Sequence, residues 1–398
     1  MIQPKSATKP MQGPPPCDVR PCPLTRMEQR PKIPLQFPLV LTSRLVTFNR
    51  TLRNACEGKE AMRAVVVKAP QGQFELEDRK RPTLGPGEVL LCVRACGVCH
   101  GDLLLQQGGF PFARFPVVPG HEVAGEIVEL GDRVSWLKPG MRVGVSALYS
   151  SCGQCKRCMG GDEILCAQGW EFTGITKDGG YQEFMIASAA YVAPLPDAMD
   201  FSDAAPLMCA GLTVYSGLRH AGFTPSNKVA VIGLGGLGHL AVLYAKAMGG
   251  RVAVLSTSPE KEGEARELGA ERFINTKAAV PADELRAWDG GADIILATGS
   301  SFDSMTAAFP GLATDGTMVV LGVGPGSLNF DPMQLIMGRR RIMGSPAGSR
   351  RDLRETLDFA AANGIRPRIT RFPLRKASEV LERMHAGGIR GRAVLMMA

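Results

Sequence analysis

The feature that most constrains the fold is a glycine-rich turn set between an apolar strand and a helix. The segment KVAVIGLGGLGHLAVLYAKAMG, which begins at Lys228, has the spacing G-x-G-x-x-G. In such a turn the first glycine permits a tight bend, the second lets a pyrophosphate approach the backbone, and the third lets the helix pack close to the strand. Alternating strands and helices continue after it, including RVAVLS and ADIILAT, so we predict a doubly wound parallel sheet of the Rossmann type over about 211–345. The residues predicted to bind a dinucleotide there are Gly233, Gly235, Gly236, Leu237 and Gly238.

The end of the next strand indicates which dinucleotide is bound. An NAD site typically has an acid about 20 residues further on, which holds the ribose 2′-hydroxyl. Here the strand ends in Ser256 and Thr257, followed by Lys261. Because no carboxylate is present to repel a 2′-phosphate, we predict NADP in preference to NAD. The alternative is that Lys261 is only a solvated residue of the following helix.

A cluster of four cysteines predicts a structural metal site. The segment CGQCKRCMGGDEILC places Cys152, Cys155, Cys158 and Cys166 within a short loop. Four thiolates at such spacing close a tetrahedral zinc site and stabilise a lobe too small to have its own core. A zinc ribbon that binds nucleic acid is the competing interpretation, but the loop lacks an aromatic platform and a clear excess of positive charge.

A second group of candidate ligands is scattered along the chain. The segment RACGVCHGDLLL contains Cys96, Cys99 and His100, and alone it is compatible with a redox dithiol, half of a zinc site or simple packing. PGHEVAGE supplies His121, and PLMCAGL supplies Cys209. Two thiolates and one imidazole leave zinc one open position, which is typical of catalytic sites.

Composition and charge narrow the function classes. The chain of 398 residues is long enough for two domains, and no apolar run approaches the roughly 20 residues needed to span a bilayer. Residues 1–61 carry ten Lys and Arg against four Asp and Glu, so most of the net charge of +8 lies there and a large nucleic-acid footprint is not expected. Eleven cysteines without a secretory signal favour a reducing compartment, and we predict a cytoplasmic protein without a membrane or specific nucleic-acid partner.

The first 61 residues differ from the rest of the chain. Their high proline content opposes regular secondary structure, so we predict a disordered extension. A transit peptide is one alternative, because the stretch 39–54 is poor in acids and weakly amphipathic. Translated sequence upstream of a true start at Met62 is another.

The motifs, taken in order, resemble those of the zinc-dependent medium-chain alcohol dehydrogenases. CGVCHGD, PGHEVAGEIVELG, the four-cysteine lobe, APLMCAGLTVYSGL and the glycine turn carry the resemblance, which runs from about Met62 to the C-terminus. It implies an α/β protein with a GroES-like, mainly-β catalytic domain over 62–210, including the lobe at 152–166. The Rossmann domain at 211–345 would interrupt it, and 346–398 would return to it. The resemblance also implies two zinc ions per chain, alcohol or aldehyde substrates, and a homotetramer or homodimer.

The resemblance assigns roles to individual residues. Cys99, His121 and Cys209 look like the catalytic zinc ligands, and Asp102 looks like the carboxylate that orients His121. Glu122 resembles an acid that the family carries near the zinc. The positions expected to contact the cofactor beyond the glycine turn are His100 and Arg392 at the pyrophosphate and Thr213 beside the nicotinamide.

Two positions depart from the family pattern. Gly101 stands where the family usually has Ser or Thr, and Leu104 where a histidine often completes a proton relay. Neither side chain can carry a proton. Either an ordered water occupies the space that the glycine leaves, or proton transfer is slow, by 10²–10⁴-fold if acid–base assistance is lost altogether.

A further departure concerns substrate size. Ala147 stands where many members have a tryptophan that narrows the pocket. Phe110, Phe112 and Tyr149 are candidates for lining a wider pocket, and each is equally well explained as core. We therefore expect medium-sized or aromatic aldehydes in preference to ethanol.

The predicted activity is hydride transfer between a nicotinamide and an alcohol or aldehyde, with zinc as Lewis acid. Two alternatives within enzymes are a zinc-independent quinone or enoyl reductase of the same superfold and a polyol dehydrogenase, which often has Glu where Cys209 stands. A non-catalytic, zinc-stabilised nucleotide sensor is the alternative of another class, and Gly101 and Leu104 are its only support.

Overall fold

The computed structural model describes residues 60–324 and 326–397. The predicted extension over 1–61 lies outside the described residues except at its last two positions. There the first strand already begins, at Ala61, which is one residue before the predicted start of the domain at Met62.

The described residues form seventeen strands and eleven α-helices. The strands are β1 (Ala61–Val66), β2 (Glu75–Lys80), β3 (Glu88–Gly97), β4 (Val123–Leu130), β5 (Arg142–Val145), β6 (Leu148–Ser151), β7 (Trp170–Phe172), β8 (Phe184–Ser188), β9 (Val192–Pro194), β10 (Lys228–Ile232), β11 (Arg251–Ser256), β12 (Arg272–Asn275), β13 (Ala292–Ala297), β14 (Leu312–Val320), β15 (Arg341–Gly344), β16 (Ile369–Pro373) and β17 (Arg392–Met396). The helices are α1 (His100–Gln106), α2 (Lys156–Met159), α3 (Phe201–Ala204), α4 (Ala210–His220), α5 (Gly238–Ala247), α6 (Glu262–Glu267), α7 (Pro281–Arg286), α8 (Phe302–Ala308), α9 (Pro332–Gly338), α10 (Arg350–Ala362) and α11 (Ala377–His385).

The strands before the glycine turn build a mainly antiparallel sheet that the end of the chain completes. Its order is β16-β17-β3-β4-β5-β9, and β8 also pairs with β3. Strand β3, EVLLCVRACG, is buried along nearly its whole length because it is mostly apolar, and its buried Arg94 is paired with Glu126 at 2.6 Å. Its end pairs with β17, so that Leu395 lies opposite Cys96. The C-terminal segment thus returns to the first sheet, while the boundaries given for 62–210, 211–345 and 346–398 remain predictions.

The second large sheet confirms the predicted Rossmann arrangement. Six strands lie in the order β12-β11-β10-β13-β14-β15, and every neighbouring pair is parallel. The strand order reverses between β10 and β13, and ligands of such sheets bind in the crevice at this switch point. The glycine turn follows β10 directly, and Gly233 has a φ of +89°, which favours glycine. The α/β fold class is therefore confirmed.

One buried apolar cluster joins the two sheets. It contains Val231 from β10, Leu240 from α5, Leu212 from α4, Leu357 from α10 and Val394 from β17. Full burial of each such side chain stabilises the fold by roughly 1.5–3 kcal/mol. The cluster therefore fixes α4 firmly, and with it the cysteine that immediately precedes this helix.

The helices and cysteines of the described residues bear on the expected cellular setting. Among these helices, none has the length and apolar character that a membrane-spanning segment requires. Seven of the described cysteines are free thiols. The cytoplasmic location remains a prediction.

Candidate active site

Four metal-ligating side chains from three separate segments converge at one point. Cys99 follows β3 and precedes α1, His121 and Glu122 lie immediately before β4, and Cys209 immediately precedes α4. One ligand atom from each of the four lies within 4.8 Å of the others. His121 and Glu122 are buried, whereas Cys99 and Cys209 are partly exposed. Two sulfurs, an imidazole and a carboxylate form a donor set that suits zinc.

Asp102 holds two of these ligands in place. Its Oδ1 lies 3.4 Å from Nδ1 of His121, and its Oδ2 accepts a hydrogen bond of 2.9 Å from the backbone amide of Cys99. The amide of Gly120 donates to Oδ1 at 3.1 Å and the Tyr181 hydroxyl donates to Oδ2 at 2.8 Å. With Nδ1 of His121 facing this carboxylate, Nε2 is left for a metal. Sequence reasoning missed Tyr181, because nothing near it in the chain marks it as a partner of Asp102.

The charges of the site favour a thiolate at Cys99. The pKa of this thiol is held well below its ordinary value because Cys209 donates a hydrogen bond to it and the positive charge of His121 lies beside it. The same hydrogen bond and burial raise the pKa of Cys209. Burial lowers the pKa of His121, but Asp102 and Cys99 outweigh this effect and raise it well above its ordinary value. Cys99 is thus deprotonated, while Cys209 and His121 keep their protons. Binding of a divalent cation would release protons from these two ligands.

Cys96 takes no part in this cluster. Its side chain is fully buried in the apolar core of the first sheet, and burial raises the pKa of its thiol well above the ordinary value. A protonated, buried thiol does not act as the nucleophile of a redox pair. The dithiol interpretation of CGVC is therefore not favoured.

Glu122 links the metal cluster to the C-terminal strand. Its Oε1 accepts a hydrogen bond from the Arg392 guanidinium, and both side chains are buried. Burial raises the pKa of Glu122 to about 8, even though Arg392 opposes this shift. Its Oε2 has no hydrogen-bond partner among the described residues, which fits an oxygen that faces a metal. A Cβ at Gly97 would lie 1.9 Å from that Oε2, so this glycine is required for the carboxylate to enter.

Arg392 also reaches the glycine turn. A Cβ placed on Gly236 would lie 3.0 Å from Nη1 of Arg392, so the guanidinium packs directly against the turn. Its predicted role at the pyrophosphate remains a prediction, since the same guanidinium is already paired with Glu122. Sequence reasoning placed Glu122 and Arg392 separately and did not foresee their pairing.

The position of Gly101 is more crowded than the sequence suggests. A Cβ there would lie 2.9 Å from Cε1 of His121, so the imidazole already borders the space in which a relay water was expected. Leu104 covers the adjacent turn, because a Cβ at Gly109 would lie 2.2 Å from its Cδ1. Gly101 therefore lies beside the candidate metal ligand His121, and Leu104 packs against Gly109.

The four-cysteine lobe has the geometry of a closed zinc site. One sulfur from each of its cysteines lies within 4.8 Å of the others, and the separations between neighbouring sulfurs include 3.5, 3.8 and 4.0 Å. Sulfurs of a tetrahedral site with Zn–S bonds of 2.3 Å lie about 3.8 Å apart. Backbone amides of Cys158 and Ala167 donate to Cys155 and hold the pKa of its thiol to about 6. Amide donors of this kind stabilise thiolates.

The lobe is attached to α10 through a buried carboxylate. Oε1 of Glu163 accepts hydrogen bonds from the backbone amide of Arg350 at 3.1 Å and from its Nε at 2.5 Å. Arg350 also lies over the ring of Tyr191, with 4.7 Å between its Cζ and the ring centroid. The Tyr191 hydroxyl is 2.7 Å from Ser151 Oγ, which in turn lies 3.2 Å from the sulfur of Cys158. Sequence reasoning missed this attachment, since Glu163 and Arg350 are 187 residues apart.

The glycine turn packs closely on one side and is open on the other. A Cβ at Gly238 would lie 1.9 Å from the carbonyl oxygen of Gly233, so the helix packs as closely as predicted. At Gly235, which is exposed, a Cβ would meet no atom of the described residues within 4 Å, and this open side is where a ligand could approach the backbone. His100 is exposed at the start of α1, and Thr213 is buried one helical turn after Cys209.

The predicted 2′-phosphate residues lie beside this turn. Lys261 donates a hydrogen bond of 3.0 Å from Nζ to the carbonyl oxygen of Leu234, so its ammonium group lies over the turn instead of extending into solvent. The buried Ser256 hydroxyl accepts from the amide of Ser258 at 3.2 Å, which leaves its own proton available. Thr257 is exposed.

The aromatic residues proposed for the pocket separate into two places. Phe112 packs on Trp170 with ring centroids 4.8 Å apart, and Phe110 lies 5.7 Å from Phe112. Tyr149 instead donates a hydrogen bond of 2.7 Å to Glu88, so we assign it to the support of the first sheet. Ala147 lies near the aromatic group, because its carbonyl accepts from Thr173, the residue after Phe172 of β7. Phe172 and Trp170 are 4.5 Å apart.

Two protein families match this chain. The family described as Alcohol dehydrogenase GroES-like domain matches residues 85–197, and the family described as Zinc-binding dehydrogenase matches residues 236–362. The first match confirms the predicted GroES-like character of the mainly-β part.

Individual relatives agree with these matches. An alcohol dehydrogenase of Geobacillus stearothermophilus is 39% identical over 337 residues, which cover 84% of this chain and 99% of the relative. The solved structure of CAD from Helicobacter pylori complexed with NADP(H) has a TM-score of 0.76 at 27% identity and covers 84% of this chain and 98% of that chain. Acetophenone reductase from Geotrichum candidum in complex with NAD has a TM-score of 0.76 at 30% identity, covering 85% and 98%.

Proposed function

The chain belongs to the zinc-containing medium-chain alcohol dehydrogenase family, and on that premise we propose that it transfers a hydride between NAD(P) and an alcohol or aldehyde of medium size or aromatic character. The observation that carries the proposal is the convergence of Cys99, His121 and Cys209. Arg392 joins this cluster to the glycine turn, since its guanidinium pairs with Glu122 and packs against Gly236.

The residues of the site divide the work of this reaction. A bound zinc supplies a Lewis acid for the substrate oxygen, and the nicotinamide supplies or accepts the hydride. Cys99, His121 and Cys209 would hold the metal, and this ligand set leaves one position for substrate. Asp102 orients the imidazole, and Thr213, on the helix that begins after Cys209, would lie beside the nicotinamide. The protein contributes by holding the nicotinamide and the substrate at a reactive distance and orientation.

Proton transfer follows a different route from that of relatives with a hydroxyl and a histidine at these positions. Neither Gly101 nor Leu104 has a group that accepts a proton. We propose that the alcohol proton leaves to solvent without a side-chain relay at positions 101 and 104. The partial exposure of Cys99 and Cys209 supports access of water to the cluster.

The substrate proposal rests on the aromatic group next to Ala147. Phe110, Phe112, Trp170 and Phe172 form it, and Phe112 is 39% exposed, so part of an aromatic surface remains available. Flat aromatic substrates pack well on such surfaces. We expect benzaldehyde to be reduced with a higher kcat/KM than acetaldehyde, and a preference for acetaldehyde would contradict the proposal.

NADP is the proposed cofactor. The hydrogen bond from Lys261 to Leu234 places a positive charge at the turn, and Ser256 and Thr257 supply hydroxyl groups without a carboxylate. Initial rates of benzaldehyde reduction with NADPH and NADH at equal concentration test this directly. We expect faster turnover with NADPH. Lys261→Ala should raise the KM for NADPH about tenfold, as expected for the loss of one charged hydrogen bond, and leave the KM for NADH unchanged, with Lys246→Ala at the far end of α5 as control.

A homodimer or homotetramer is the proposed assembly. Among the described residues, strand β15 lies at an edge of the parallel sheet, and α9 nearby exposes the apolar side chains of Met333, Ile336 and Met337. Exposed apolar groups beside an unpaired edge are typical of protein interfaces. Light scattering after size exclusion should give a mass above 42.5 kDa, and Ile336→Glu should lower it.

The alternatives predict different results in the same assay. A zinc-independent quinone or enoyl reductase would keep its turnover after metal removal, and a non-catalytic sensor would bind cofactor without turning over any aldehyde. Both are disfavoured by two complete metal-ligand sets in one chain.

A further inference from the structure

A histidine of the first turn of α5 is buried between two parts of the chain that are distant in sequence. His239 follows the last glycine of the turn and is 1% exposed. Its Nδ1 lies 3.3 Å from the carbonyl oxygen of Gly235, and its Nε2 accepts a hydrogen bond of 3.3 Å from the backbone amide of Arg368. Because Nε2 accepts, the ring proton is on Nδ1 and is donated to Gly235. The neutral imidazole therefore bridges the two backbones.

The Arg368 end of this bridge leads to the metal cluster. The carbonyl of Arg368 accepts a hydrogen bond of 2.8 Å from the amide of Arg392. The side chain of Arg392 pairs with Glu122, one of the four converging metal-ligand candidates. Hydrogen bonds and the side chain of Arg392 thus connect Gly235, the glycine open to a ligand, with the carboxylate of Glu122 among the candidate metal ligands.

We propose that His239 is a positioning residue for the dinucleotide: by bridging Gly235 and Arg368, it holds the glycine turn at a fixed distance from the Arg392–Glu122 pair. The inference rests on the proposed dinucleotide site and adds a residue that binds neither metal nor cofactor. The Gly235 carbonyl also accepts a hydrogen bond of 3.0 Å from the backbone amide of residue 239, which an apolar residue of similar size would keep. Such a residue would lose the second donor to that carbonyl and would leave the Arg368 amide without the imidazole acceptor. Both backbones could then shift relative to each other.

The environment of the ring supports a permanent neutral bridge. Burial and the nearby charge of Arg392 lower the pKa of His239 to about 4, so the ring stays uncharged at neutral pH. A charged ring would have no acceptor for the Arg368 amide.

Three variants separate the two halves of the bridge. His239→Asn retains a donor near the position of Nδ1, His239→Gln retains an acceptor near the position of Nε2, and His239→Leu removes both. The full chain is used, and NADPH binding is measured by the fluorescence of the reduced nicotinamide, together with kcat and KM for benzaldehyde. His385→Gln, an exposed histidine at the end of α11, serves as the matched control.

The proposal predicts a change in cofactor affinity with little change in chemistry. His239→Leu should raise the Kd for NADPH about tenfold, and the Asn and Gln variants should fall between Leu and wild type. At saturating NADPH, kcat and zinc content should stay within about threefold of wild type, since the metal ligands are untouched. If the Leu variant does not fold, raised Kd values in both the Asn and Gln variants support the proposal.

Two results would overturn it. The first is a wild-type Kd for NADPH in the folded His239 variants, which would show that the bridge does not position the dinucleotide. The second is a rise in Kd that follows the loss of thermal stability from variant to variant, which would mean that the histidine acts only on the fold. Failure of the underlying dinucleotide site is recognised separately, because wild type itself would then not bind NADPH.

Discussion

Oδ1 of Asp102 lies 3.4 Å from Nδ1 of His121, while the other carboxylate oxygen accepts a hydrogen bond from the amide of Cys99. One buried side chain therefore orients two of the predicted zinc ligands. Asp102→Asn replaces one acceptor oxygen with a donor that would face an N–H or O–H group. We expect zinc affinity at this site and kcat/KM to fall about 10- to 100-fold, as is typical when such a partner is lost.

Metal titration of the variant and steady-state kinetics check this expectation. Asp358→Asn, an exposed aspartate of α10, is the matched control and should leave both quantities unchanged. Wild-type zinc affinity in Asp102→Asn would show that the carboxylate does not orient the ligands.

A pair of substitutions at Gly101 separates crowding from proton transfer. A Cβ there would lie 2.9 Å from the His121 ring, so Gly101→Ala should lower kcat by displacing the imidazole. Gly101→Ser brings the same Cβ and adds a hydroxyl near the substrate oxygen. We expect the kcat of the Ser variant to exceed that of the Ala variant about tenfold, a modest share of what acid–base assistance provides. Equal rates in the two variants would mean that proton transfer does not limit turnover.

The Rossmann sheet could be predicted from the sequence because its signals are local. An apolar strand, three glycines at fixed spacing and a helix are read within 22 residues from Lys228, and each glycine has a physical reason that the structure bears out at Gly233 and Gly238. The donor types and spacings of the four-cysteine lobe are equally local. Cys99, His121 and Cys209 are far apart in the chain: their donor types mark them as candidate ligands, and the resemblance to a known family is what assigns them to the catalytic zinc.

The contacts that connect these sites could not be predicted. Tyr181 on Asp102, Glu163 on Arg350 and His239 on Arg368 each join segments more than 75 residues apart, and no periodicity or spacing marks one partner from the other. For His239, the sequence offers one signal, which is a histidine within the otherwise apolar start of the helix GHLAVLYAKA. Such pairings depend on how the two sheets pack.

Glu163 should stabilise the lobe more than a surface ion pair would. Its side chain is 2% exposed and accepts two hydrogen bonds from Arg350. Glu163→Gln keeps the shape and removes the charge, so the free energy of unfolding should fall by about 1–2 kcal/mol. Glu379→Gln removes an exposed pair with Lys376 and should leave the free energy of unfolding nearly unchanged.

Chemical denaturation of the two variants measures these differences, and chelator-induced loss of zinc from the lobe gives a second readout. Faster zinc loss is expected in Glu163→Gln alone. Equal stability of the two variants would mean that the lobe does not depend on this contact.

His239 should make stability depend on pH. Burial and Arg392 lower its pKa from 6.5 to about 4 in the folded chain. Between these values the unfolded chain binds more protons, so the free energy of unfolding decreases as the pH falls from 6.5 towards 4, and the contribution is complete above pH 6.5. The total effect is on the order of 3 kcal/mol. The stability advantage of wild type over His239→Gln should therefore shrink on acidification, measured by urea denaturation at several pH values, and a constant difference would contradict it.

The catalytic metal site is tested most directly by the zinc content of the purified chain and of two cysteine variants, measured together with turnover. We predict two zinc ions per chain for wild type, and one for folded Cys209→Ser, whose turnover is lost. Cys155→Ser should also lose one zinc but fail through reduced stability, with residual turnover in proportion to the folded fraction. Full turnover in Cys209→Ser, or a wild-type chain that turns over without zinc, would contradict the assignment of Cys99, His121 and Cys209 as the catalytic metal site.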